Sequence, residues 1–364
     1  MNVSLLRGSM PNSVGIRTPK RYGEKMLILV NKLEIVNHRL EIQRDADFIY
    51  VPLISEPSAS ALKTLKKQVR DFEVLRYVFP ERKKREVSYV ELLEDHLPTR
   101  LQDSLPHAID FVGDIAIIEI PSNLEAYRAI ICEAILKANK NVRTVVAKAG
   151  VVSGTYRLRE FQVIAGVNKT ETIHKEHGSQ YYVDIAKAYF SPRLSHEHNR
   201  VASLVKEGEV VVDLFAGVGS FPIQIAKKRK NVKVYAIDIN PLAIEYLKKN
   251  IRLNRVEGKV TPILGDARQI VATKLAGTAN RVIMNLPEKA NEFIDTACRA
   301  LKSSGGIIHF YSFINASDSL EDAQLRFIET IKQCGRNVER IPCSRFVRAT
   351  APYEWQIVLD AEIS

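Results

Sequence analysis

The chain has no apolar run approaching the roughly 20 residues that a membrane-spanning helix requires, so no membrane partner is expected. It is poor in cysteine: Cys132, Cys298, Cys334 and Cys343 lie far apart and form no CxxC pair. Neither a zinc site nor a disulfide framework is indicated, so no metal is expected and a cytoplasmic location is. The N-terminus lacks the apolar core and small-residue cleavage site of a signal peptide, and residues 1–17 read as a ragged extension. There is no internal repeat and no low-complexity tract. What the sequence has in excess is positive charge, a net +11 over 364 residues. Between Met1 and Arg85, 17 Lys and Arg face nine Asp and Glu, so most of the excess lies in the first quarter. The block "ERKKRE" at Glu81–Glu86 alone is best read as a solvated linker. A basic module of this kind attached to further domains points to a polyanion, of which nucleic acid is the commonest.

The pattern divides into three. Residues 1–82 read as a small basic α/β domain, with a strand at "YVPLI" and a helix at "SASALKTLKKQV". Residues 83–180 read as an α+β domain. Helices are expected at "SYVELLEDHL" and "NLEAYRAIICEAILKANK", and strands at "DIAIIEI", "VRTVVAKA" and "TYRLREFQVIAG". From residue 181 to 364 apolar strands alternate with helices: "EVVVDLFAG", "KVYAIDIN", "VTPILGDARQ", "RVIMNLP" and "GGIIHFYSF". This is the signature of a doubly wound, mostly parallel sheet, an α/β fold.

Such sheets bind ligands beyond the carboxyl ends of their strands. Here those ends carry Asp213 followed by Gly217 and Gly219, then Asp238, then Asp266, then Asn285-Leu286-Pro287. No GxGxxG is present to cradle a dinucleotide pyrophosphate, and no GxxxxGK[ST] to cradle a nucleoside triphosphate. Three acids and an amide without a phosphate cradle suit a cationic nucleoside. The ordered set resembles that of Rossmann-like class I S-adenosylmethionine-dependent methyltransferases. The resemblance implies that backbone around Phe215, Ala216, Gly217 and Gly219 cups the methionine end. It likewise implies that Asp238 with Ile239 holds the ribose and Asp266 with Ala267 the adenine, and that Asp213, Asn285 and His198 complete the cofactor set.

Asn-Leu-Pro alone is an ordinary strand terminator. It also resembles the (Asp/Asn/Ser)-Pro-Pro-aromatic motif of amino methyltransferases, without the second consecutive Pro and the aromatic. The ordered series "TYRLREFQVIAG", "TIHKEHG", "YVDIAKAYFSPRLSHEHNRV", "DLFAGVGSFPI", "YAIDINPLAIEYLKKNIRLN", "VIMNLP" and "TAPYEWQIVLD" resembles the archaeal and eukaryotic tRNA (guanine37-N1)-methyltransferase family. That resemblance implies binding of a tRNA bearing guanosine at position 37, with the first domain reading tRNA shape; a monomer is expected. It implies Glu197 as general base, Arg157 stabilising O6, Tyr189 shaping the pockets, and Asn285 with Pro287 holding the base. Taken without it, Glu197 would be a surface acid and Arg157 an edge-strand partner of Glu160. Alternatives are additional methylation of a wyosine precursor, methylation of an exocyclic amine of RNA or of a protein amide, and a non-catalytic RNA-binding scaffold.

Overall fold

The computed structural model describes residues 12–82, 87–150, 154 and 156–364. By contact the chain forms two compact units, Met1–Glu86 and Val87–Ser364. Part of the basic block, residues 83–86, lies outside the described residues, as do residues 1–11 of the expected ragged extension.

The rest of that extension is not ragged. Asn12–Pro19 is a strand between Phe48–Pro52 and Glu73–Val78, antiparallel to both, in a four-stranded sheet whose far edge is Gln43–Arg44. Gly15 explains why the segment reads weakly as a strand. A side chain there would meet the Phe79 ring at 2.5 Å, so packing requires the residue with the lowest strand propensity. Helices Gly23–Lys32 and Ala59–Gln68 cover the sheet and bury Met26, Val30 and Leu65 against Ile16 and Val51. The second helix starts where the Ser-rich turn places it, with Ser58 Oγ accepting from the Ala61 N–H.

The second unit opens with a four-stranded sheet of Asp110–Val112, Ile115–Ile118, Thr144–Lys148 and Phe161–Gly166, packed under the helix Arg128–Ala138. Two expectations fail here. "SYVELLEDHL" forms a single 3₁₀ turn at Glu91–Leu93 and no longer helix. Leu93 and Leu97 are drawn under the Arg128–Ala138 helix while the Tyr89 hydroxyl reaches the Pro106 carbonyl, so tertiary contacts override the helical periodicity. In "TYRLREFQVIAG" the strand begins only at Phe161, and Arg157 stands in a turn with a left-handed φ of 53°.

After the hairpin Glu171–Glu176 and Ser179–Asp184 comes the main sheet. Its strands are β1 Val210–Asp213, β2 Lys233–Asp238, β3 Val260–Leu264, β4 Arg281–Met284, β5 Gly306–Asn315, β6 Val338–Ala351 and β7 Glu354–Ile363, in the order β3-β2-β1-β4-β5-β7-β6. The first five are parallel, and β7 is antiparallel to both β5 and β6. The flanking helices are α1 Ser195–Leu204, α2 Ser220–Lys228, α3 Pro241–Leu253, α4 Ala267–Ile270, α5 Ile294–Ala300 and α6 Leu320–Gln333. Cover on both faces is why residues 210–212 of β1 and 282–284 of β4 are apolar without alternation. All carboxyl ends of the parallel strands therefore open at one rim. Among the described residues no helix is long and apolar enough to cross a membrane, and no cluster of His, Cys, Asp and Glu is arranged to hold a metal.

Candidate active site: an acid-lined pocket joined to a cationic cleft

At that rim lies a cavity of about 230 Å³. The loop after β1 forms one wall with Leu214, Phe215 and Gly217, and the end of β2 forms the next with Asp238 and Ile239. Gly265, Asp266, Ala267 and Arg268 follow β3, and Asn285 and Leu286 follow β4. Arg157 and Tyr189 enter from outside the sheet. The fold thus brings together nine of the residues singled out in the sequence: Arg157, Tyr189, Phe215, Gly217, Asp238, Ile239, Asp266, Ala267 and Asn285.

Each acid has a defined local role. Asp238 Oδ2 accepts from the Gly217 N–H at 2.7 Å and Oδ1 from the Asn240 N–H at 2.9 Å. Each oxygen retains a lone pair, enough for a diol. Asp266 caps α4, its Oδ1 accepting from the Arg268 N–H at 2.8 Å. Its other oxygen has no partner among the described residues. The same cavity is lined by the rings of Phe215 and Phe293, edge to face at 4.8 Å, with the Arg268 guanidinium 4.1 Å from the Phe293 centroid. At Gly217 a Cβ would meet only the Tyr189 carbonyl at 3.6 Å, so backbone there is open to a ligand. Two carboxylates with free lone pairs flanking an apolar wall fit a cationic nucleoside.

Other expected cofactor contacts lie outside this lining. Gly219 has a φ of 99°, and a Cβ there would meet Leu247 of α3 at 2.4 Å, so this glycine serves the turn and the packing behind it. Ala216, in the same loop, is buried with its N–H donating to the Ile237 carbonyl at 2.8 Å. His198 is turned away altogether: its Nδ1 is 2.8 Å from Glu176 and its ring packs on Phe221. Pro287 is buried beyond Asn285 and lines neither cavity. Asp213 is fully buried beneath the loop, accepting from the Phe215 N–H at 3.1 Å while Oδ2 has no partner. Burial pushes its carboxyl up to about 7; the Phe215 N–H opposes the rise and Asp238 adds to it.

A second cavity, about 370 Å³, shares Arg157 and Tyr189 with the first. Lys148, Arg157, Arg159, Arg193 and Arg348 outnumber its acids Asp110, Glu288 and Glu354. Arg157 pairs with Glu288 at 2.8 Å, not with Glu160, and its guanidinium lies 5.0 Å from the Tyr189 ring centroid. Neither Glu288 nor Arg348 stood out in the sequence. Surface-type residues, one on a loop and one on the edge strand β6, carry no local signal of convergence.

Glu197 is placed differently from expectation. It is 1% exposed and lines neither cavity. Arg200 grips both its oxygens at 2.9–3.2 Å, Tyr311 donates its hydroxyl at 2.7 Å, and Arg345 adds a further ion pair. Burial alone would raise its pKa, but Arg200, Tyr311 and Arg345 outweigh it and the net shift is down. From Arg200 the chain of charges continues to Asp360 at 2.5 Å, His309 at 2.5 Å, Arg281 at 2.8 Å and Glu209 at 3.0 Å. A guanidinium only donates, so His309 accepts through Nε2 and its proton sits on Nδ1, facing Asp360.

Strand order, acid-tipped carboxyl ends and the rim pocket define a Rossmann-like class I methyltransferase. Comparison with known proteins narrows this. The TRM5/TYW2 methyltransferase domain matches residues 172–339, the TYW2 N-terminal domain residues 89–170, and the tRNA methyltransferase 5 N-terminal domain residues 15–61. The tRNA (guanine(37)-N(1))-methyltransferase Trm5b of Pyrococcus abyssi is 39% identical over 97% of this chain and 99% of its own. A solved complex of aTrm5 with tRNALeu is 34% identical, with a TM-score of 0.70 over 97% of this chain and 100% of that one. M. jannaschii TYW2 in complex with AdoMet is 31% identical, with a TM-score of 0.55 over 71% and 99%. The chain belongs to the TRM5/TYW2 methyltransferase family.

The buried Asp213 yields a signed prediction. Its carboxyl, raised from 3.8 to about 7, costs stability that grows as pH rises between those values and is constant above them. Asp213→Asn keeps the acceptor for Phe215 and removes the titration. At pH 8 it should be more stable than the parent by on the order of 4 kcal/mol, with the difference vanishing toward pH 4. Urea denaturation across that range measures it, and a pH-independent difference would rule the account out.

Proposed function

We infer that this chain is a tRNA (guanine37-N1)-methyltransferase, moving a methyl group from S-adenosylmethionine to N1 of guanosine 37. The observation that carries this reading is the junction of an acid-lined nucleoside pocket with a cation-rich cleft at Arg157 and Tyr189. Near-full-length likeness to Trm5b supports the particular substrate. When bound, S-adenosylmethionine would supply an electrophilic methyl group. Asp238 would hold the ribose diol with its remaining lone pairs and Asp266 the adenine amino group, while Phe215 and Ile239 would exclude water.

Guanine N1 carries a proton at neutral pH, and its removal places negative charge largely on O6. Arg157 meets that charge as an electrostatic stabiliser. Tyr189 and Asn285 bound the space in which the base lies, and Pro287 fixes the turn that presents Asn285. We assign residues 1–82 to recognition of tRNA shape through phosphate and 2′-hydroxyl contacts, residues 83–180 to gripping the anticodon arm, and residues 181–364 to catalysis. A monomer working in the cytoplasm belongs to the same proposal. Nucleoside mass spectrometry of unmodified tRNA incubated with enzyme and cofactor tests the reaction. N1-methylguanosine at position 37 is expected, and an exocyclic N-methyl product or none would overturn it. A wyosine-precursor tRNA as second substrate tests for the bifunctional variant.

Glu197 as general base requires its carboxylate to leave the guanidinium clamp when RNA enters. The clamp favours a second reading, in which Glu197 is the anion that seats α1 on the sheet. Glu197→Gln separates them. As base, the substitution should lower the single-turnover rate about 10²–10⁴-fold and flatten its pH dependence from 6 to 9. As seat, it should lower the melting temperature and leave the pH profile's shape unchanged.

Removing residues 1–86 should preserve cofactor affinity while raising the tRNA Michaelis constant and reducing its salt dependence. Unchanged kinetics at several salt concentrations would take this unit out of tRNA recognition.

A further inference from the structure

The terminal hairpin of β6 and β7 contributes more to the site than a sheet edge. Arg348 and Gln356 are direct cross-strand partners in it. Arg348 Nε donates to Gln356 Oε1 at 2.8 Å, Nη1 to Ser191 Oγ at 3.1 Å and Nη2 to the Tyr189 hydroxyl at 3.4 Å. Gln356 is 1% exposed, and its Nε2 donates to Asn285 Oδ1 at 3.4 Å. One guanidinium therefore connects two residues that line the cofactor pocket, Tyr189 directly and Asn285 through Gln356.

The direction of these hydrogen bonds is dictated by chemistry. Arginine has donors only, so Gln356 must turn its oxygen toward Arg348. Its NH₂ group then faces Asn285, which must answer with Oδ1. The Asn285 NH₂ is left as the free end of that carboxamide, without a partner among the described residues. We propose that Arg348 and Gln356 are positioning residues that lock Asn285 as a hydrogen-bond donor toward the target base, and that this selects bases bearing a carbonyl oxygen beside the reactive nitrogen. The inference rests on the functional reading above and deepens it. A 6-oxopurine offers O6 to such a donor, and Asn285 joins Arg157 there as a second donor to the developing negative charge. An exocyclic amine, as on adenine or cytosine, is itself a donor and meets the wrong end of the amide. The missing second proline and aromatic of the Asn-Leu-Pro motif accord with this: the asparagine serves a ring nitrogen flanked by a carbonyl.

Two tRNA transcripts test the proposal, one with guanosine and one with 2-aminopurine at position 37; the latter keeps the ring and the 2-amino group but lacks O6 and, with it, the N1 proton. Binding of each is measured in the presence of S-adenosylhomocysteine. The full-length parent should bind the guanosine form about tenfold more tightly, because the 2-aminopurine form leaves a donor unpaired. In Gln356→Glu the carboxylate cannot donate, Asn285 turns its NH₂ inward, and the preference should fall about threefold or more, the remainder being the share that Arg157 keeps. Gln356→Met, neutral and of similar volume, frees the amide to take either orientation and should lower the preference partway. It carries the test if the glutamate variant does not fold. A preference as large as the parent's in every folded variant, or no preference in the parent, overturns the proposal. If the parent forms no N1-methylguanosine on the guanosine transcript, the functional reading fails instead, which the binding ratio does not report.

Discussion

A line of alternating charges runs through the interior of the second unit: Arg345, Glu197, Arg200, Asp360, His309, Arg281 and Glu209. Three arginines face three carboxylates with a neutral histidine between, so the line is neutral only when all six charged members are present. Removing one partner of a buried pair leaves its fellow uncompensated, which typically costs about 3–5 kcal/mol. The line ties helix α1 to strands β4 to β7. It thereby fixes α1 against the sheet and, with α1, the loop carrying Tyr189 that precedes it.

The functional geometry follows from two simple facts about the sheet. Parallel strands bring their carboxyl ends to one rim, so residues some 25 apart in sequence become neighbours in one pocket. The antiparallel β7 then returns along β5 and delivers Gln356 beside Asn285 at the same rim. Had the last strand run parallel, its cross-strand partner Arg348 would not lie within reach of Tyr189 and Ser191. The pocket supplies cofactor-type contacts from strand ends, and the cleft supplies cations from loops and the terminal hairpin. Their junction at Arg157 and Tyr189 is where a methyl donor and a nucleic-acid base can meet.

Strand-end residues were legible in the sequence because each follows an apolar run that fixes its place in the sheet. Asp238, Asp266 and Asn285 all stand where that logic puts them. The helix expected at "SYVELLEDHL" and the early strand at "TYRLRE" failed because both segments are short and their side chains answer to distant partners. Gly219 and His198 sit in the right motifs yet serve packing and a buried Glu176 pair. A motif fixes a residue's neighbourhood, not the direction of its side chain.

By itself the sequence determined the periodicities, and through them the parallel sheet, its carboxyl rim and the acids along it, since these depend on local backbone geometry and on burial of one residue run at a time. Only the tertiary structure decided which way Glu197 faces, that Glu288 rather than Glu160 holds Arg157, and that Arg348 reaches both Tyr189 and, through Gln356, Asn285. Those choices belong to charged and polar side chains, whose partners are set by distance and by the cost of leaving a buried group unpaired. Partners 131, 148 and 159 residues apart leave no trace in the spacing of a single chain.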